Sequence, residues 1–144
     1  MRWFKLGLLA GCVMVVGLLA GCATSVPFQK ASVDQSGALV YVFRPESLLS
    51  RGTIIKVDVN GTTKGLLVNN SYLPMQLAAG KTTITLLTND FVGNKYDTLT
   101  ITTKKGMNYY IKAEPGAWGA FKLLVLDEQK GLSEVSSTVY YQTK

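Results

Sequence analysis

The chain has no histidine in 144 residues, and its two cysteines, Cys12 and Cys22, fall in or at the edge of an apolar N-terminal run. Without histidine there is no imidazole for acid–base work, no Cys/His zinc site and no Cys-His nucleophile. Cysteines so placed also leave the rest of the chain without a disulfide framework. Charged residues are sparse at 17%, and no Gly-x-Ser-x-Gly elbow, Ser-x-x-Lys box or phosphate-cradling glycine loop occurs. Apolar residues make up 47%, and all 14 threonines lie beyond residue 21. The length fits one domain, and the composition divides it into an apolar leader and a Thr-rich body that favours strands.

Arg2 and Lys5 give the leader a positive start, and Leu6 to Gly21 follows without a charge, which is the shape of a secretory signal. This run of about 16 residues is shorter than the ~20 that span a bilayer; uncleaved, it would be a plain inner-membrane anchor. Gly-Leu-Leu-Ala-Gly-Cys occurs twice, at 7–12 and 17–22. The tetrapeptide Leu19-Ala20-Gly21-Cys22 resembles the lipobox of bacterial lipoproteins, where the signal peptide is cut before a cysteine whose thiol takes a diacylglycerol thioether. Cleavage before Cys12 would leave only Leu6 to Gly11 as the apolar segment, under the ~7 to 15 residues expected, so Cys22 is the expected lipidation site.

The resemblance implies a signal peptide over 1–21 and a mature chain starting at Cys22, which carries diacylglycerol and an acyl chain and needs no other cofactor. Two or three acyl chains hold a protein on a membrane for practical purposes permanently. Ala23 after the cysteine, in place of Asp, implies sorting to the outer membrane of a double-membraned bacterium, facing the periplasm. Residues 22–36 are small and polar with one proline, and read as a lipidated tether. Fourteen residues of such a tether extend at most ~46 Å and average ~20 Å as a coil.

From residue 37 to 144 the pattern is that of an all-β domain. Ala38 to Arg44 is apolar on both faces and reads as a central strand stopped by Pro45. Ile55, Val57 and Val59 alternate with Lys56, Asp58 and Asn60, and Asn60-Gly61 supplies the pair that a type I′ hairpin requires before a return strand over 62–68. Further strands are expected at 72–77, 82–88, 96–103, 107–113 and 120–126, with Asp127 capping a short helix up to Ser137, packed against a sheet edge, and 139–141 a final extended piece. Eight short strands so spaced predict an antiparallel β-sandwich, Ig-like or prealbumin-like, with a short C-terminal helix; a small closed barrel fits the same spacing.

The strings GALVYVFRPESL, VDVNGTTKGLL and NNSYLPMQLAAGKTTITLL resemble a family of small bacterial lipoproteins with an uncharacterised all-β domain, distantly similar to PEGA-type surface modules. The likeness covers roughly 37–126, with Ala79 where PEGA-like turns usually carry proline. Its motifs are strand and turn grammar, and they imply a fold without implying a catalytic residue.

Nine acids follow the leader, mostly at strand ends or on polar faces, and a wall-sugar hydrolase would need two in one cleft; Asp90 and Asp97 are the pair to inspect first. Without Arg2 and Lys5 the chain holds 13 basic and 9 acidic residues, a net +4, with Lys104-Lys105 the one adjacent basic pair, so nucleic acid is not an expected partner. Arg44 either grasps an anionic ligand or pairs with Glu46 or Glu114. Trp118, with Phe121 just beyond, is either an exposed platform for a sugar or partner or a plug closing the sandwich, and Tyr72 joins it or is a buried strand residue. Tyr109 and Tyr110 point to opposite faces, so one of them is expected in the core. The expected function is a non-enzymatic envelope lipoprotein, held at the membrane by Cys22, that binds a protein partner or supports an envelope assembly. The alternative is a module for peptidoglycan or lipopolysaccharide.

Overall fold

A computed structural model describes residues 25–141; Cys12, Cys22 and the leader lie outside the described residues. The strands are β1 (Ser25–Pro27), β2 (Gly37–Arg44), β3 (Ile55–Val59), β4 (Thr62–Leu67), β5 (Ser71–Ala78), β6 (Gly80–Thr88), β7 (Lys95–Thr103), β8 (Asn108–Pro115), β9 (Phe121–Leu126) and β10 (Val139–Tyr141), with helix α1 (Glu128–Val135) between the last two. They form a six-stranded sheet in the order β1-β10-β5-β2-β8-β9 and a four-stranded sheet in the order β4-β3-β6-β7. Among the described residues no helix is long and apolar enough to cross a membrane.

Val40 and Val42 from β2 meet Ile55, Val57, Ile84 and Leu86 of the smaller sheet in the inter-sheet core. The opposite side of β2 carries Leu39, Tyr41 and Phe43, which pack with Tyr72, Tyr110 and Val135 in a second core. All eight residues of β2 are therefore buried. The outer face of the smaller sheet is polar, and this is where threonine is used: Thr83 bonds Thr100 across β6 and β7 at 3.0 Å, and Thr85 bonds Thr98 at 3.2 Å.

The six-stranded sheet is mixed, a correction to the antiparallel sandwich, while the four-stranded sheet is antiparallel throughout. β2 runs parallel to β8, and β10 parallel to β5. The physical reason is that the chain changes sheets four times, after β2, β4, β5 and β7. The strand beside β2 is therefore one distant in sequence, a pairing no local turn signal encodes. The two separate sheets also exclude the closed barrel. The local signals fared better. Asn60 and Gly61 both adopt positive φ, 50° and 83°, at the β3–β4 hairpin. Asp127 caps α1, its side chain accepting from the backbone N–H of Lys130 at 2.8 Å.

Two expectations change on the outer face of the large sheet. Helix α1 lies over β8 and β2, where an edge position was expected. The second is the tether. Its described part is docked on the domain: Ser25–Pro27 pairs with β10, and Phe28 packs 5.5 Å from the Tyr41 ring and 5.0 Å from the Tyr72 ring. The Tyr41 hydroxyl then accepts from the N–H of Ala31 at 2.9 Å, and Gln76 donates to the Ser32 carbonyl at 2.9 Å. The cause is the apolar outer face of β2, which draws Phe28 and Val33 onto it.

α1 approaches the sheet closely because position 131 is glycine. A Cβ there would overlap the Tyr110 Cβ and the root of its ring, with the two backbones close on either side. We predict that Gly131→Ala lowers unfolding stability by about 2–3 kcal/mol, as overpacking against a fixed neighbour does. Ser133→Ala on the exposed side of the helix should stay within about 0.5 kcal/mol. Chemical denaturation of both variants checks this.

Candidate functional site

Strand directions bring four connections to one end of the domain: residues 45–54, 68–70, 89–94 and 116–120. Arg44, the last residue of β2, lies beneath them. Its side chain is fully buried. Nη1 donates to the Thr53 carbonyl at 2.6 Å, and Nη2 donates to the Ser50 carbonyl. The guanidinium carbon stands 4.8 Å from the centroid of the Phe121 ring, which meets Tyr96 edge-on at 5.2 Å. A break in register between β6 and β7 leaves Tyr96 as the extra residue and turns its ring inward.

Arg44 thus makes no ion pair with Glu46 or Glu114. No acid lies within ion-pair distance of it among the described residues. Glu114 pairs with Lys112 at 3.5 Å, and Glu134 with the same ammonium at 3.0 Å. Burial holds the Arg44 pKa below its usual value, while the nearby Tyr96 works the other way. Nη1 and Nη2 fix the loop over 45–54 to the sandwich through its two carbonyls, while the buried Nε has no hydrogen-bond partner among the described residues.

Two other residues singled out from the sequence are interior and cannot act as surface contacts. Phe121 is buried under Arg44, and Tyr72 is buried among Phe28, Tyr41 and Tyr140. Tyr110 is buried and stacks on Tyr41 at 5.4 Å. Tyr109, on the other face, is half-buried against the inter-sheet core, so both tyrosines contribute to packing. Trp118 is the opposite case. It is 103% exposed, which rejects the plug.

Trp118 has company that the sequence did not single out. Phe91 is 105% exposed, Leu48 86% and Val92 76%, and all three sit on loops at the same end as Trp118. The signal was available: Phe91-Val92 stands between Asn89-Asp90 and Gly93-Asn94, and Leu48-Leu49 between Ser47 and Ser50. An apolar pair inside turn-forming residues has no core to join.

These tips are held in place. Asp90 accepts from the N–H groups of Val92 and Gly93 at 3.0 and 2.7 Å, and the side chain of Thr88 accepts from Asn94 at 2.8 Å. Around Trp118, itself at a φ of 60°, the N–H of Gly116 donates to the Ala120 carbonyl at 2.8 Å. Asp97, the other acid of the pair, lies within β7 and accepts from the N–H of Leu123 at 2.8 Å. Both acids are engaged in holding backbone.

A family model described as "Protein of unknown function (DUF2846)" matches residues 34–117, more than half of the chain. The chain belongs to the DUF2846 family. No curated protein matches its sequence. The DUF2846 segment runs from just before β2 through β8; β1, β9, α1, β10 and Trp118 lie outside it.

The anchors of this end can be tested one at a time. Arg44→Lys keeps the charge but cannot span both carbonyls, and it should cost about 2 kcal/mol in chemical denaturation and speed proteolysis within 45–54. Unchanged stability would return Arg44 to the role of a ligand-binding group. The hydrogen bond from Gly93, ahead of Thr88 and Val92, lowers the Asp90 pKa from 3.8. The order it gives the loop should therefore be complete above that pH and lost as pH falls through the lowered value. Amide exchange at Val92 and Gly93, measured from pH 6 down to pH 2, checks the sign.

Proposed function

We propose that this DUF2846 member is an envelope lipoprotein, lipidated at Cys22, whose β domain works by contact with a protein partner or envelope assembly and not by catalysis. The observation that carries the proposal is the Leu19-Ala20-Gly21-Cys22 lipobox placed three residues before the docked strand β1. The location proposed is the outer membrane, facing the periplasm, on the strength of Ala23. Two facing sheets around one core support a sandwich in the broad Ig-like or prealbumin-like sense, an architecture that offers edges and loop ends as binding surfaces. The β9 edge is the protein-facing candidate, since Leu124 and Val125 on its two faces both remain exposed.

A contact role is favoured over catalysis because these acids have structural work: Asp90 and Asp97 hold backbone, Asp127 caps α1, and Glu114 and Glu134 share the Lys112 ammonium. The full exposure of Trp118 favours the alternative, a binder of peptidoglycan or lipopolysaccharide. Sugar recognition needs polar side chains converging on the stacked ring, and the neighbours here are Gly116, Ala117, Gly119 and Ala120. Retention on purified peptidoglycan that is lost in Trp118→Ala would move that alternative to first place.

Lipidation is tested by growth with labelled palmitate. Cys22→Ser should abolish incorporation, and Cys12→Ser should leave it unchanged. The reverse pattern would move the mature start to Cys12, and label in neither protein would remove the anchor.

A further inference from the structure

We propose that the loop end carrying Trp118, Phe91, Val92 and Leu48 is a bilayer-docking surface, inserted into the headgroup region of the membrane that holds the lipid anchor. The inference rests on the lipoprotein proposal for its membrane, and on separate observations for the contact itself.

Every large apolar side chain that the described residues expose beyond three-quarters is on this end, and three different loops contribute. A protein-binding groove needs shape, whereas these side chains are separate projections. A fluid bilayer accepts projections without complementarity, and aromatic rings favour its interface. The sequences at the tips are suited to leaving water. Residues 115–121 read Pro-Gly-Ala-Trp-Gly-Ala-Phe, with no polar side chain. The backbone there is partly self-satisfied: Ala120 donates to the Ala117 carbonyl at 3.2 Å, and Val92 and Gly93 donate to Asp90. Such pairing lowers the penalty of taking N–H groups out of water.

Charge fits the same occupant. Arg51, Lys95 and Lys122 are exposed at the bases of the three apolar loops, where anionic headgroups would lie. The acids near this end are turned to local partners: Asp90 to its own loop N–H groups, Asp97 to the N–H of Leu123, and Glu114 and Glu134 to the shared Lys112 ammonium, with Glu46 exposed.

The lipid anchor is within reach of this end. Ser25 pairs with Tyr141, two residues along from Val139, whose partner Ser71 lies opposite Arg44 at the rim. β1 runs toward the rim, so Ser25 lies about 7 Å below it with the chain heading away on its N-terminal side; a reach of at most ~10 Å from Ser25 brings the Cys22 lipid to the loop end only where the chain reverses. The β1 edge and the Trp118 loop are at opposite sides of the six-stranded sheet. An anchor on one side and an inserted ring on the other would stand the domain on its loop end.

Trp118 can report on its own depth. The chain has two tryptophans, so in the full-length Trp3→Phe protein it is the only one. That protein is purified from membranes and reconstituted into phosphatidylethanolamine/phosphatidylglycerol vesicles with lipids brominated at shallow or deep acyl positions. The expected result is blue-shifted emission, quenched at least twofold by shallow bromines and less by deep ones. Phe91→Asp should weaken the quenching with the unfolding midpoint retained. Emission typical of water, unquenched in protein whose Cys22 is shown by mass spectrometry to carry lipid, overturns the docking proposal and leaves the anchor standing. Quenching in protein whose Cys22 is unmodified supports docking and removes the anchor. Crosslinks from position 118 to a protein, with no bromine quenching, overturn docking in favour of a protein contact.

Discussion

Strand β2 must be covered on both sides, and most of the architecture follows from that constraint. Val40 and Val42 face the smaller sheet, and Leu39, Tyr41 and Phe43 face away from it. Each large side chain gains about 1.5–3 kcal/mol from burial. Three of them left in water would forfeit much of a typical net stability of roughly 5–15 kcal/mol. The smaller sheet covers one side. The other needs a third layer, built from α1 and from residues 28–33 ahead of β2.

That third layer changes what the N-terminal segment is. A segment from 23 to 36 with no apolar period has the composition of a flexible spacer, yet Phe28 and Val33 are enough to dock it when an aromatic face lies waiting. The hydroxyls of Tyr41 and Tyr72 accept from the N–H groups of Ala31 and Gln29, so the docked backbone keeps hydrogen bonds while the rings are covered. A lipid on Cys22 would then hold the domain within a few residues of the bilayer, with its loop end fixed by Arg44 and Asp90 in place of swinging on a long leash.

Local signals in the sequence were legible, and distant partnerships were not. Asn60-Gly61, the Asp127 cap and the alternation of β3 each depend on a few neighbouring residues, and each appears as expected. The parallel pairing of β2 with β8 depends on where the chain crosses between sheets. At the candidate site the same division holds. Trp118 stood out as a large ring among small residues, but whether it plugged or projected depends on the path of a loop in which Trp118 itself takes a φ of 60°, and no residue pattern gives that path. The sequence groups Phe121 with Trp118 and leaves Tyr72 open between joining it and lying in a buried strand, because nothing adjacent in sequence reveals Arg44 above one or Phe28 above the other. Tyr96 is turned inward by a bulge that no local residue announces.

The proposed lipoprotein would sit directly on a membrane, with no spacer between. Neutron reflectometry of the lipidated protein on a supported phospholipid bilayer measures this without any substitution. Protein density should begin at the headgroup layer with no intervening slab of water. A water-filled gap near ~20 Å, the mean span of a fourteen-residue coil, would contradict the account and restore a free tether.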